Sequence, residues 1–171
     1  MSSSLTTTKL PAALLALARP EIGVTEVAGT NCGPRVDEYK AATWLNPKQG
    51  WPWCAAFICW LVREALAATG IKETKTFKRP RTAAAWDFEN WCRGIDKTAM
   101  LKKPHKGDIQ PGDIVMFTFS HIGIAESAPD KNGYVTTIEG NTDGSGSREG
   151  GAVLRKKRHT SKIRSRIRFT V

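Results

Sequence analysis

Four side chains able to share the work of covalent catalysis stand at Cys54, His121, Glu139 and Asn141. Cys54 follows a Pro-Trp corner in GWPWCAAFICW and heads an apolar run. That places it at or near a helix N-terminus, where unpaired N–H groups and the helix dipole favour an anion. A cysteine so placed, with an imidazole nearby, can fall from a pKa of ~8.5 to well below neutrality. Cys59 lies five residues further on, on a different side of the same helix at ~100° per residue. Its neighbours Ile58 and Trp60 are apolar, and burial without a cationic partner keeps a thiol protonated and inert. Cys54 is therefore the candidate nucleophile and Cys59 a core residue. The plainer alternative makes Cys54, too, a small buried hydrophobe.

A thiolate nucleophile needs a base. His105 stands in a charged loop, KKPHKGD, and His159 in a basic run, RKKRHTSK; both suit a solvated surface. His121 stands in the β-rich FTFSHIGIAE. Strand alternation puts His121, Gly123 and Ala125 on one face, and the two small residues imply an open floor before the imidazole. The competing reading is a histidine packed against a helix. In VTTIEGN, Glu139 and Asn141 are two apart and project to the same side of a strand. Either could accept the ring N–H, leaving the other to hold substrate or an oxyanion. A plain Glu-Gly-Asn turn is the alternative there.

The elements that must position these groups change period midway. Helices are expected over Leu10–Arg19, stopped by Pro20, around Arg35–Ala42, over Cys54–Ala68 with Gly70 as its cap, and over Arg81–Cys92. Strands are expected over Ile114–Phe119, from His121 to Glu126, over Tyr134–Glu139 after an Asn132-Gly133 turn, and at Val153–Arg155 and Ile163–Val171. Asn141–Gly151 reads as a Gly/Ser-rich loop and Arg155–His159 as a hairpin loop. Helices followed by an antiparallel meander make an α+β layout.

The chain has 171 residues, with 26 Lys plus Arg against 16 Asp plus Glu, a formal charge of +10. That size supports one core without disulfides, and the charge points to an anionic partner. No CxxC occurs and no histidines stand at zinc-finger spacing, so a structural zinc is not expected. The apolar patch Leu10–Ala18 is short for a signal sequence and lacks a small-x-small cleavage site. No run approaches the ~18 residues of a membrane span. Residues 1–9 are expected to be a flexible lead and 10–171 a single domain. In the tail, Ile163, Ser165, Ile167 and Phe169 alternate with Lys162, Arg164, Arg166 and Arg168. That is an edge or final strand with a charged outer face, and nothing in it resembles a nucleic-acid motif.

Taken in order, Trp53-Cys54-Ala55-Ala56-Phe57, Pro111-Gly112-Asp113-Ile114-Val115, Ser120-His121-Ile122-Gly123-Ile124 and Ile138-Glu139-Gly140-Asn141 resemble the CHAP family of cysteine- and histidine-dependent amidohydrolases and peptidases, of the NlpC/P60 kind. Glu21-Ile22-Gly23-Val24-Thr25-Glu26 and Arg81-Thr82-Ala83-Ala84-Ala85-Trp86 resemble its phage-associated branch, and the likeness spans about residues 10–171. It implies a papain-like α+β fold, N-terminal helices packed on a small antiparallel half-barrel. It makes Cys54 the nucleophile, His121 the base and Glu139 or Asn141 the orienting group, with Glu139 favoured. Some relatives carry an acidic calcium loop before the nucleophile; TWLNPKQGWPWC has no acidic residue, so no metal or other cofactor is expected.

The implied activity is cleavage of a peptidoglycan amide, as an N-acetylmuramoyl-L-alanine amidase or a peptidase, by a phage endolysin. Trp53, Trp51 and Tyr39 would line the substrate groove, and Gln49 could add an oxyanion donor. The protein would be made in the host cytoplasm and released to the cell wall through a holin-type pore, act as a monomer without a wall-binding module, and meet an anionic envelope through its basic face. A secreted antibacterial amidase, or a non-catalytic basic envelope- or nucleic-acid-binding module, is the alternative.

Overall fold

The computed structural model describes residues 9–102 and 108–171; His105 and the expected lead over 1–8 fall outside them. Helix α1 (Leu10–Ala18) carries a proline in its first turn, where no N–H is missed. It passes into a 3₁₀ turn, Arg19–Glu21, at Pro20. Helix α2 is Pro34–Lys40 and α3 is Cys54–Thr69, closed by a left-handed Gly70 with φ 73°. Helix α4 covers only Asp87–Arg93. The expected start at Arg81 fails because the Thr82 hydroxyl accepts the Ala84 N–H at 3.1 Å. That local turn competes with helix nucleation.

Six strands follow: β1 (Ala99–Lys102), β2 (Ile114–Phe117), β3 (Ile122–Ala125), β4 (Tyr134–Thr142), β5 (Ala152–His159) and β6 (Ile163–Phe169). They form one antiparallel sheet in the order β1-β6-β2-β3-β4-β5. The start of α1 meets Val171 where the Leu10 N–H donates to the Val171 carbonyl at 2.9 Å.

Three expectations change here. Arg155–His159 is strand, not loop: Tyr134 pairs with His159 and Val135 with Arg158, and only Thr160–Lys162 makes the turn. Strand β6 is the final strand, as one expectation had it, but not an edge: it lies between β2 and the unforeseen β1. Its outer face is not simply solvated: Arg166 is buried against Asp108 at 2.8 Å, and Arg168 holds Asp113 at 2.7 Å. The alternation was legible, but the acidic partners come from a distant loop that local pattern does not reveal.

Helix α3 is the centre of the core. Phe57, Ile58 and Leu61 are fully buried, each adding ~1.5–3 kcal/mol of apolar stabilisation. They share the main cluster with Leu14 of α1 and with Ile114, Met116, Ile122, Ile124 and Ile138 on one face of the sheet. The other face carries a smaller cluster of Val115, Phe117, Ala125, Val135 and Ile163. None of the described helices is long and apolar enough to cross a membrane.

Where β4 crosses the head of α3, the backbone comes close. A Cβ at Gly140 would lie 2.9 Å from both the Phe57 Cβ and the Trp53 ring. Gly140→Val should therefore overpack this contact and cost ~1–3 kcal/mol, read as a lower unfolding midpoint in urea or heat.

Candidate active site

Cys54 is the first residue of α3, and no side chain caps that helix end. Its early N–H groups remain available to an acceptor. Trp53 fixes the corner: its indole N–H donates to Glu26 Oε2 at 2.8 Å, and its ring lies 5.7 Å from that of Tyr39. Cys54 keeps 7% of its surface exposed, whereas the nearby His121 is fully buried. The pair thus meets solvent through the cysteine.

His121 enters β3 from a tight turn. Ser120 takes a left-handed φ of 56°, and the His121 carbonyl accepts the Phe117 N–H at 2.8 Å. The imidazole stacks on Phe117 and Phe119, each with its ring centroid 5.8 Å away. Its Nε2 shares a 2.9 Å hydrogen bond with Glu139 Oε2. Its Nδ1 is buried without a hydrogen-bond partner. Burial opposes the ring's charge, but Cys54 and then Glu139 outweigh it, and the pKa rises to about 9.

Glu139 is fully buried and fully engaged. Oε1 accepts from the Thr137 hydroxyl at 2.6 Å and from Arg158 Nε at 2.8 Å, while Oε2 accepts from Arg158 at 2.6 Å. Desolvation alone would raise its pKa, yet Arg158 and His121 hold it down to about 2. The open floor expected beside His121 is occupied: a Cβ on Gly123 would sit 2.7 Å from the Glu139 Cγ. Small residues on that face make room for the glutamate rather than for substrate.

Asn141 does not share Glu139's place. It has φ 56° and lies in a register break between Glu139 and Thr142, so simple alternation fails. Its amide donates to the Arg148 carbonyl at 3.2 Å, and its Oδ1 is buried without a partner. Glu139, not Asn141, meets the ring. Cys59 is fully buried, donates to the Thr82 carbonyl at 3.3 Å, and is pushed up to about 12 by burial.

The expected groove residues divide. Tyr39 and Trp53 are fully buried, so neither can line a groove; they are core aromatics packed with tilted and edge-on rings near the helix head. Gln49 is exposed, and its backbone carbonyl holds the buried Lys40 at 2.8 Å. Trp51 is half-buried and lines an apolar groove of about 500 Å³ with Trp44, Leu45, Pro52, Arg81 and Thr82. Trp44 is 78% exposed, with the Arg81 guanidinium 5.0 Å from its ring centroid. Sequence reasoning passed over Trp44; an aromatic beside an Asn-Pro turn was the available signal. It also missed Arg158, which the expected hairpin loop placed in solvent. Among the described residues, no group of three or more His, Cys, Asp or Glu side chains could hold a metal ion.

A helix-head cysteine facing a histidine on an antiparallel sheet, with a glutamate behind the ring, defines a papain-like cysteine–histidine arrangement on an α+β frame. The chain belongs to the CHAP family: the CHAP domain model matches residues 46–141, more than half of its length. The fold is similar to the crystal structure of a wild type endolysin, LysIME-EF1, with a TM-score of 0.58 at 14% identity. The likeness covers 94% of this chain and 64% of that one, so the chain spans less than two thirds of that protein. No curated protein sequence matches the chain.

The His121 pair makes stability depend on pH. The folded value of about 9 lies above the usual 6.5, so the stabilisation is full below 6.5 and is lost as pH rises through 9. Glu139 acts oppositely: its contribution is present above 4.5 and is lost as pH falls toward about 2. The thermal midpoint should decline between pH 6.5 and 9 in the wild type, and His121→Ala should remove most of that decline.

Proposed function

We propose that this chain is a peptidoglycan hydrolase of endolysin type that cleaves an amide bond in the stem or cross-bridge peptide. The observation that carries the reading is the Cys54–His121–Glu139 constellation, with the ring bonded to Glu139 and, against burial, its pKa raised by Cys54 and Glu139 together to about 9. The CHAP family assignment and the endolysin-like fold support the same reading.

At neutral pH the His121 ring carries its proton. An imidazolium beside the sulfur favours attack as a thiolate. The sulfur bonds to the amide carbonyl carbon, and charge moves to the oxygen. The uncapped N–H groups at the head of α3, that of Cys54 first, face the developing oxyanion. His121 gives its proton to the leaving nitrogen, the C–N bond breaks, and a thioester remains. A water then loses a proton to His121 and attacks the thioester, releasing the acid and restoring the sulfur–imidazolium pair. Glu139 stays ionised throughout and stabilises the imidazolium.

The groove through Trp51, Pro52 and Trp44 leads from the residues just before Cys54 and would receive the sugar or peptide. The formal charge of +10 would draw the protein toward the anionic envelope, an attraction that weakens with salt. In this reading the protein acts at the cell wall after release from the cytoplasm.

Isolated sacculi provide the test. The wild type should lower their turbidity, and Cys54→Ala should slow this by roughly 10³-fold or more. Cys59→Ala should keep most of the rate while losing some thermal stability. Mass spectrometry of the released muropeptides identifies the bond cut. Equal inactivity of wild type and Cys54→Ala, or a folded but inactive Cys59→Ala, would overturn the proposal.

A further inference from the structure

We infer that Arg158 is a fourth member of the constellation: a positioning residue that holds the Glu139 carboxylate against His121 and ties it to the loop over residues 143–151. The inference rests on the hydrolase reading for its kinetic consequence, but not for its structural one.

Three sets of contacts converge on this guanidinium. It grips both oxygens of Glu139, at 2.8 and 2.6 Å. It lies 5.3 Å from the Phe117 ring centroid and 5.0 Å from that of Phe119, the two rings that also stack on His121. It donates to the Gly146 carbonyl at 3.0 Å, while Lys156, two residues earlier on β5, holds the Asp143 carbonyl at 2.9 Å and that of Gly144 at 3.0 Å. The Arg158 side chain is only 13% exposed. A bidentate, stacked guanidinium of this kind is not replaceable by a point charge.

The need for it follows from burial. A carboxylate with no solvent contact is driven toward its neutral form unless charge and hydrogen bonds oppose this. The groups facing Glu139 are Thr137 on its own strand, His121 at the start of β3 and Arg158 on β5. Those acting on His121 are Cys54 on α3 and Glu139. Thr137 brings no charge, and His121 brings one only while protonated. Without Arg158, the carboxylate and the ring would compete for a single proton. A neutral Glu139 cannot stabilise the imidazolium, so the ring would lose its proton more readily. The site would then have its acid–base group in the wrong state for the first half of the reaction.

The test compares Arg158→Leu, Arg158→Gln and Arg158→Lys with the wild type. Two readouts are needed: the NMR titration midpoint of His121, and kcat and KM on a soluble muropeptide. The Leu and Gln variants should lower the His121 midpoint by about a unit or more. They should cut kcat by ~10–10²-fold, less than the ~10²–10⁴ that acid–base catalysis itself supplies, with KM little changed. Arg158→Lys should recover most of the titration midpoint and only part of kcat, because it keeps the charge but not the fork.

A His121 midpoint and a kcat per folded molecule that stay at wild-type values would overturn the inference, even if the unfolding temperature falls. If Arg158→Leu does not fold, the Gln and Lys variants carry the comparison. If the wild type cleaves nothing, the hydrolase reading fails, while the His121 titration still decides whether Arg158 governs the ring.

Discussion

The hydrogen bond between His121 and Glu139 joins two groups that both lack solvent, and much of the surrounding structure follows from keeping it tolerable. An ionised carboxylate in a protein interior is costly unless its oxygens are fully partnered. Glu139 receives four hydrogen bonds, from Thr137, from His121, and from Nε and Nη2 of Arg158. Gly123 on β3 leaves the space that its side chain fills. Removing one partner would leave the others holding a buried charge, so these residues act as a unit rather than as separate contacts.

That unit sits on one wall, and Cys54 comes from another. Cys54 belongs to the head of a helix whose buried length anchors the core. His121 and Glu139 belong to strands that pack their alternate residues, Ile122, Ile124 and Ile138, against that helix. The distance between sulfur and imidazole is therefore set by core packing, with the close approach at Gly140 as its local gauge. Interiors packed at crystal-like density transmit small changes of this kind, so the site inherits its precision from the core. The asymmetry in exposure between Cys54 and His121 has the same origin: the cysteine stands at the end of a buried helix, the ring beneath two phenylalanines.

The strong positive charge does three jobs that composition merges. Arg166 and Arg168 are structural, each paired with acidic groups around Asp108 and Asp113. Arg164 pairs with Glu89, and Arg155 with Glu126. Arg158 belongs to the site. The formal excess of +10 sets the field that an anionic surface would meet. A basic C-terminal stretch read as a hairpin loop and a charged outer face is thus divided among a core strand, the surroundings of Glu139 and a surface.

Read alone, the sequence was enough for the order and type of most elements, the helix-head cysteine, the histidine on the sheet and the carboxylate on the next strand. These are legible because they rest on local rules: a Pro-Trp corner before an apolar run, a glycine at a helix end, alternation along a strand. Local rules failed where a distant partner decided. Alternation paired Asn141 with Glu139, but a register break turned it to the Arg148 carbonyl. Composition offered Tyr39 and Trp53 to a groove, but the packing of α2 and α3 closed over both. A basic run looked like a loop until β4 supplied its hydrogen-bond ladder and Glu139 its counter-charge. Those outcomes depend on which strands lie side by side, and a contact between residues 139 and 158 exists only once β4 and β5 have paired.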